Sequence, residues 1–297
     1  MIARSGARLS GSQVSTCPAS QPVQWLEGSE MFWKKKTDSP KESRGPEGPV
    51  GSVLLLERES FTIDSFLEQI AKTCVAGKAV SDIKRDKEGA FSFDVGDAFF
   101  ACLHVEAKYP DDLKGPIATT WLWPREPLIE NVKRHRSFLH ITMIGGSEDP
   151  VRRRLILTAV TALAAKQPGV MAVYWGDASL VIFPALFVSM AEEINTPQSP
   201  PLYLWVDLRA FRNEDGTTGL FTIGLTKLGH MEIEIPRIKM EIGELREWLR
   251  DIICYLLENG PVLLDGQTIG MSAEQQIRIR HCPSIFGHAG QVIRLEP

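Results

Sequence analysis

Positive charge is what this chain has too little of. Thirty-three Lys and Arg stand against 37 Asp and Glu, for a formal net charge of -4 and a pI near 5.9. A protein that grips nucleic acid through many phosphate contacts carries a basic excess, so no nucleic-acid partner is expected. Cysteine is scarce too, with five residues at 17, 74, 102, 254 and 282 and no CxxC spacing. An odd count without paired spacing argues against a disulfide framework and against a Cys-based zinc site. Cys74, Cys102 and Cys254 lie in apolar runs, where Cys acts as a small hydrophobe. A reducing, cytoplasmic compartment is the expectation.

Long apolar runs are missing as well. The longest, Val170 to Val188, is interrupted by Gly176, Asp177 and Pro184 and falls short of the roughly 20 residues that span a bilayer. The opening Met1-Ile2-Ala3-Arg4-Ser5 has no apolar stretch of the secretory kind. Gly-x-Gly-x-x-Gly, the Walker loop, Gly-x-Ser-x-Gly and His-Glu-x-x-His do not occur. Asp265-Gly266-Gln267-Thr268 lacks the ligand spacing of an EF-hand loop. His230-x-Glu232 lacks the Pro-Cys-x-x-Cys segment of the zinc deaminases. No cofactor and no metal are expected.

What is present describes a globular chain. Hydrophobic residues make up 43% and charged residues 24%, the balance of a soluble protein with a sizeable core. The 297 residues suffice for one large domain or two ordinary ones. Residues 1–50 are rich in Ser, Gly, Pro, Lys and Glu without hydrophobic period, and a disordered tail is expected there. Within it, Met31 in Met31-Phe32-Trp33-Lys34-Lys35-Lys36 offers an alternative translation start. The lysines read as a solvated cluster, with a weak peripheral membrane anchor as the alternative.

Beyond the tail the pattern predicts an α+β fold of mixed or antiparallel sheets with packed helices. Val53-Leu54-Leu55-Leu56 is a strand. Thr62 or Asp64 then caps a helix that carries Phe66, Leu67, Ile70, Ala71 and Cys74 on one side and ends at Gly77. Phe91, Phe93 and Val95 alternate with polar residues as in a half-buried strand, and Ala98 to Val105 is a denser one. Residues 108–136 are expected to be irregular, because Pro110, Pro116, Pro124 and Pro127 break long elements. Strand Phe138 to Ile144, a helix from Pro150 capped by Asp149, and strand Val170 to Trp175 follow. The β-α-β recurrence suggests two ferredoxin-like halves. A short helix from Pro184 to Ile194 closes an N-terminal α+β unit of residues 51–195. Thr196 to Pro201 then reads as a linker. The C-terminal unit, 202–297, opens with strands Leu202 to Phe211 and Leu220 to Leu225 across Asn213-Glu214-Asp215-Gly216, followed by strand His230 to Ile235. The helix Glu241 to Glu258 places Ile242, Leu245, Trp248, Leu249, Ile252, Ile253, Leu256 and Leu257 on one face, and Asn259-Gly260-Pro261 stops it.

Four constellations could carry chemistry. His230, Glu232 and Glu234 share one face of their strand at about 6.6 Å spacing. Two of them, with help from Asp265, could serve a hydrolase or a metal-dependent enzyme. The plainer reading is an amphipathic strand with one wet face. Arg152, Arg153 and Arg154 stand in the first turn of a helix, against its dipole. An anion or acidic partner would explain them, and so would local pairing with Glu148 and Asp149. Lys133, Arg134, His135 and Arg136 form a second basic cluster. Trp121 and Trp123 could line a ligand slot or partner groove, or simply pack.

Six motifs carry a family resemblance. They are Ala118-Thr119-Thr120-Trp121-Leu122-Trp123-Pro124, Ala172-Val173-Tyr174-Trp175-Gly176, Pro201-Leu202-Tyr203-Leu204-Trp205-Val206-Asp207, Gly224-Leu225 with Leu228-Gly229-His230-Met231-Glu232, Tyr255-Leu256-Leu257 through Asp265-Gly266-Gln267-Thr268-Ile269-Gly270, and Arg278-Ile279-Arg280 with Pro283-Ser284. Through them the chain, from about Val53 to Pro297, closely resembles the bacterial domain-of-unknown-function family DUF4261. The resemblance implies a bacterial cytosolic protein and brings no activity or catalytic residue with it. The expectation is therefore a non-enzymatic binding protein of adaptor or immunity type, whose partner is another protein. The alternative is an enzyme using His230, Glu232, Glu234 and Asp265.

Overall fold

Two antiparallel-rich sheets organise the chain, and helices fill the space around them. The computed structural model describes residues 49–57, 61–86, 88–121, 123–193, 200–270 and 276–297. The expected tail (Pro49 and Val50 apart), with Cys17, Met31 and the lysine run, and the linker up to Ser199 lie outside those residues.

The N-terminal sheet is built from β1 (Val50–Leu56), β2 (Val80–Arg85), β3 (Ala90–Val95), β4 (Ala98–Val105), β5 (Ser137–Gly145), β6 (Val170–Trp175) and β7 (Leu180–Ile182). Its order is β2-β3-β4-β5-β1-β6-β7, with every neighbouring pair antiparallel. The two β-α-β units expected as ferredoxin-like halves interleave here in one sheet. Strands β4-β5-β1-β6 stand in the ferredoxin-like order, and β2, β3 and β7 extend it at both ends. Helices α1 (Ile63–Ala71), α4 (Pro150–Ala165) and α5 (Pro184–Glu193) lie on the inner face. There Phe66 meets Phe91 and Phe93, Ser52 bonds Thr161 at 2.7 Å, and Trp175 meets Phe187.

Local chemistry sets the helix ends. The Thr62 hydroxyl accepts from the Ser65 amide at 3.3 Å, and Asp149 accepts from the Val151 amide at 3.0 Å beside Pro150. Helix α1 ends at Ala71 rather than reaching Gly77, because the chain turns back through Ala76 and Gly77, both at positive φ, to bridge Val75 with Lys78. Cys74 is consequently exposed, not part of an apolar face. The stretch expected to be irregular contains α2 (Lys114–Ala118) and α3 (Arg125–Arg134). Pro116 and Pro127 each fall in a first turn, where a missing N–H costs nothing. Strand β2 went unrecognised because its sequence is polar. It is an edge strand, bulged at Asp82 with φ +50°.

Past residue 200 the chain forms a short helix where a strand was expected. Helix α6 (Leu202–Trp205) forms because the Leu204 amide turns back to the Pro201 carbonyl at 2.9 Å and the Val206 amide to Leu202 at 2.8 Å. Strands β8 (Asp207–Arg212), β9 (Thr218–Ile223), β10 (Ile233–Ile238), β11 (Thr268–Ile269), β12 (Ile277–Pro283) and β13 (Gln291–Glu296) pair in the order β11-β12-β13-β10-β9-β8, with β10 and β13 parallel. Helix α7 (Ile242–Asn259) seals this sheet with Leu245, Trp248, Leu249, Ile252, Ile253 and Leu256, all buried. That stripe removes roughly 500 Å2 of apolar surface from water, on the order of 12 kcal/mol before entropy is subtracted. Gly260, at φ +79°, turns the chain out of the helix. One continuous apolar cluster takes in both sheets.

Leu249 has no exposed surface, so an aspartate there would find no partner for its charge. Leu249→Asp is expected to cost more than about 4 kcal/mol and abolish cooperative folding. Soluble expression with an unchanged melting transition would contradict this.

Candidate functional site

The carboxylates singled out in the sequence point inward. Strand β10 starts at Ile233, so His230 lies in the preceding turn and Glu232 just ahead of the strand. Glu232 is 3% exposed. It accepts from the Thr222 hydroxyl at 2.7 Å, the Gly224 amide at 2.9 Å, and the amide and hydroxyl of Thr226 at 3.1 and 3.2 Å. It thereby ties the end of β9 and the 3-10 turn Leu225–Leu228 to β10. Gly224 must be glycine here: its φ is +118°, and a Cβ would lie 2.3 Å from the Trp205 carbonyl oxygen.

Glu234 is fully buried. It accepts from the Ser284 hydroxyl at 2.5 Å, the Ile285 and Phe286 amides at 3.3 and 3.4 Å, and Arg294 at 3.1 Å. Burial pushes its carboxyl up, but these donors outweigh burial and hold it below the usual glutamate range. Asp265 accepts from the His281 amide at 2.8 Å. Glu232, Glu234 and Asp265 thus each serve a different loop. The outward-facing wet strand face expected from the alternation is corrected: Glu232 and Glu234 are interior groups because several donors meet each of them. Among the described residues no group of three or more His, Cys, Asp or Glu could hold a metal ion.

The arginines do not share a surface either. Arg152 is exposed, whereas Arg153 and Arg154 are 3% and 1% exposed. Arg154 reaches Asp177 at 2.8 Å and the Lys227 carbonyl at 3.3 Å. Asp177, the carboxylate it pairs with, is thus remote from it in sequence. In the second basic cluster His135 is buried. Its Nε2 accepts from the Tyr109 amide at 2.9 Å while Nδ1 faces the Val132 carbonyl. That pairing fits the neutral ring, and burial lowers its pKa.

The tryptophans divide. Trp123 is buried and donates to the Val181 carbonyl at 3.0 Å, covering the edge of β7. Trp121 stands half-buried between the two sheets. The Arg246 guanidinium lies 3.7 Å from its ring centroid, and Tyr203 meets it edge-on at 5.6 Å. Arg246 donates to the Leu208 carbonyl at 3.2 Å, and Tyr203 to Glu247 at 2.9 Å. Asp207, 1% exposed, pairs with Arg209 at 2.8 Å, and burial raises its carboxyl. Sequence reasoning did not single out Tyr203, Asp207 or Arg246. Tyr203 and Asp207 did stand in a family-like motif, but Arg246 carried no signal. The seam is filled by packed side chains. A shallow depression of about 480 Å3 lies elsewhere, at the tip of β8–β9 and the start of α7, lined by Arg212, Asp215, Thr217, Lys239 and Glu244. None of the candidate residues lines it.

The outer face of the N-terminal sheet is half covered. Over β1 and β6 it carries α3, with the Asn131 amide bonded to the Met171 carbonyl at 2.9 Å and Tyr109 against Phe138 and Tyr174. Over β4 and β5 it is open among the described residues. Phe99, Leu103 and Ile144 are 42%, 44% and 45% exposed. Phe99 pairs across to Ile144, and Ala101 to Thr142, so these side chains line one continuous surface.

Residues 221–296 match the model of the family described as a domain of unknown function (DUF4261). This is the family the motifs resemble; the match takes in the three C-terminal motifs, and Ala118–Pro124, Ala172–Gly176 and Pro201–Asp207 lie outside it. The segment runs from the end of β9 to β13 and contains Glu232, Glu234 and every donor named for them. No curated protein and no solved structure matches the chain. Among the described residues no helix is long and apolar enough to cross a membrane.

Glu234 generates a pH dependence. Its folded-state pKa lies below the ordinary 4.5, so its stabilisation is complete above that value and is lost as pH falls through the depressed one. Glu234→Gln should cost about 1–3 kcal/mol at neutral pH. In urea titrations the gap between the two proteins should narrow on acidification below pH 4.5. A gap that stays constant into acid would refute the assignment.

Proposed function

We propose that this protein is a non-enzymatic binding protein of the bacterial cytosol whose partner is another protein. The observation that carries the reading is the open apolar half of the N-terminal sheet. Isolated exposed apolar residues need no explanation, but a contiguous set on one rigid face marks an interaction surface. The face is borne on paired strands and needs no reorganisation to bind. An adaptor or immunity-type role is the finer form of this reading, supported only by analogy with small acidic bacterial α+β proteins.

The competing reading, an enzyme built on His230, Glu232, Glu234 and Asp265, requires carboxylates that converge on a substrate. Glu232 and Glu234 instead spend their oxygens on backbone and side-chain donors within the fold. Nothing specific favours that reading over the first.

The test is capture from the native host with the full chain as bait, followed by mass spectrometry. Phe99→Asp and Leu103→Asp should leave the melting temperature within a few degrees of the natural protein, since both positions face solvent. Each should lose the specific partner by about 30-fold, as expected for the centre of an interface. Partners retained equally by natural and substituted baits would reject this face as the binding surface.

A further inference from the structure

We infer that His135 is a proton-operated latch: its neutral ring holds residues 106–112 as a strap across the N-terminal sheet, and protonation releases the strap and uncovers Phe138 and Tyr174. The inference concerns the covered part of the outer face. It stands whether or not the open part binds a partner.

The geometry of the ring carries it. His135 follows directly on α3 and is 5% exposed. Its two nitrogens have opposite duties. Nε2 accepts from the Tyr109 amide at 2.9 Å, and Nδ1 donates to the Val132 carbonyl. Only the neutral ring that carries its proton on Nδ1 fills both roles. A proton taken from water onto Nε2 turns that nitrogen into a donor. It then faces the Tyr109 N–H, a second donor, and neither has an acceptor. Two donors buried face to face cost more than the lost bond, so the strap moves away.

Little else ties the strap down. Residues 106–108 and 110–112 are exposed. Besides the bond to His135, the Lys108 Nζ reaches the Lys133 carbonyl at 2.9 Å. Tyr109 is half-buried and inserts against Phe138 of β5 and Tyr174 of β6. A short exposed segment with few tertiary bonds opens more readily than the sheet beneath it. Phe138 stands across from Val105 at the end of β4, so the uncovered aromatics adjoin the open surface.

The charges around the ring set the direction. Lys108 comes from the strap, Lys133 and Arg134 from the last turn of α3, and Arg136 from the residue ahead of β5. The acids nearby are engaged: Glu57 pairs with Arg134 at 3.1 Å, and Asp111 accepts from the Tyr109 hydroxyl at 3.1 Å. Burial lowers the pKa of the ring, the Val132 carbonyl opposes it, and Lys108 and Arg136 add to the lowering. The latch is therefore at full strength above the ordinary 6.5 and weakens as pH falls from there to the depressed folded-state value. In that window the opening equilibrium rises by up to about tenfold per pH unit.

Hydrogen exchange of the full chain, read amide by amide by NMR and corrected for its intrinsic pH dependence, tests this. Protection of the Tyr109 amide should fall about three- to fivefold as pH drops from 6.5 to one unit lower. The amides of β4 and β5 should keep theirs. In His135→Gln the side-chain carbonyl can accept from Tyr109 and the side-chain amide can donate to Val132, with no titration. That variant should keep the protection and lose its pH dependence. Constant protection in the natural chain would overturn the inference. So would the same fall in His135→Gln, or a fall shared by the whole sheet. The ring itself supplies a check that needs no variant: in the natural chain it should carry its proton on Nδ1 and titrate below 6.5. A ring protonated on Nε2 alone, or one titrating at or above that value, would overturn it as well.

Discussion

Helix α4 is buried on two sides, and the two sheets meet across it. Twelve of its sixteen residues are buried, a distribution that a surface helix with one apolar stripe does not show. On one side Thr161 bonds Ser52 of β1. On the other, Thr158 receives the Trp205 indole at 2.9 Å, and Arg154 reaches the Lys227 carbonyl. Once those side chains are desolvated, their polar groups must be matched within the protein. The position of the Leu225–Leu228 turn relative to the helix is thereby fixed. The Arg246–Trp121 stack joins the two parts of the chain at a further point.

The same requirement explains the C-terminal carboxylates. A buried ionised Glu costs several kcal/mol unless donors surround it. Glu232 and Glu234 each have such a set, drawn from a different loop. Glu232 holds the β9–β10 connection, and Glu234 clamps the Ser284–Phe286 loop against β10 and β13. The family match, residues 221–296, encloses both sets whole. Burial that would make a lone carboxylate reactive here produces an anchor, because the donors outnumber what a catalytic group could share.

Much of the scaffold was legible because it follows simple periods. Helix α7 shows its stripe at steps of three and four, α4 shows Asp149-Pro150 at its start, and β3 alternates cleanly. What stayed hidden depended on distance in sequence or on the face of a strand. Glu234 looks like one member of a polar stripe until Ser284, fifty residues away, is beside it. Arg154 looks like surface charge because nothing in its neighbourhood announces Asp177 or Lys227. Helices α2 and α3 were masked by prolines that sit harmlessly in first turns. In β4 the outward positions Phe99, Ala101 and Leu103 are as apolar as the inward ones, so the sequence showed a denser strand and not which face is exposed. That misfit between composition and exposure is the clearest sign of a working surface on this molecule.

If α4 welds the sheets together as described, neither should melt without the other. Differential scanning calorimetry of the full chain tests this most directly. One transition is predicted, with a calorimetric enthalpy equal to the van't Hoff enthalpy. Two resolved transitions, or a calorimetric enthalpy well above the van't Hoff value, would contradict it and show that the sheets fold as independent bodies.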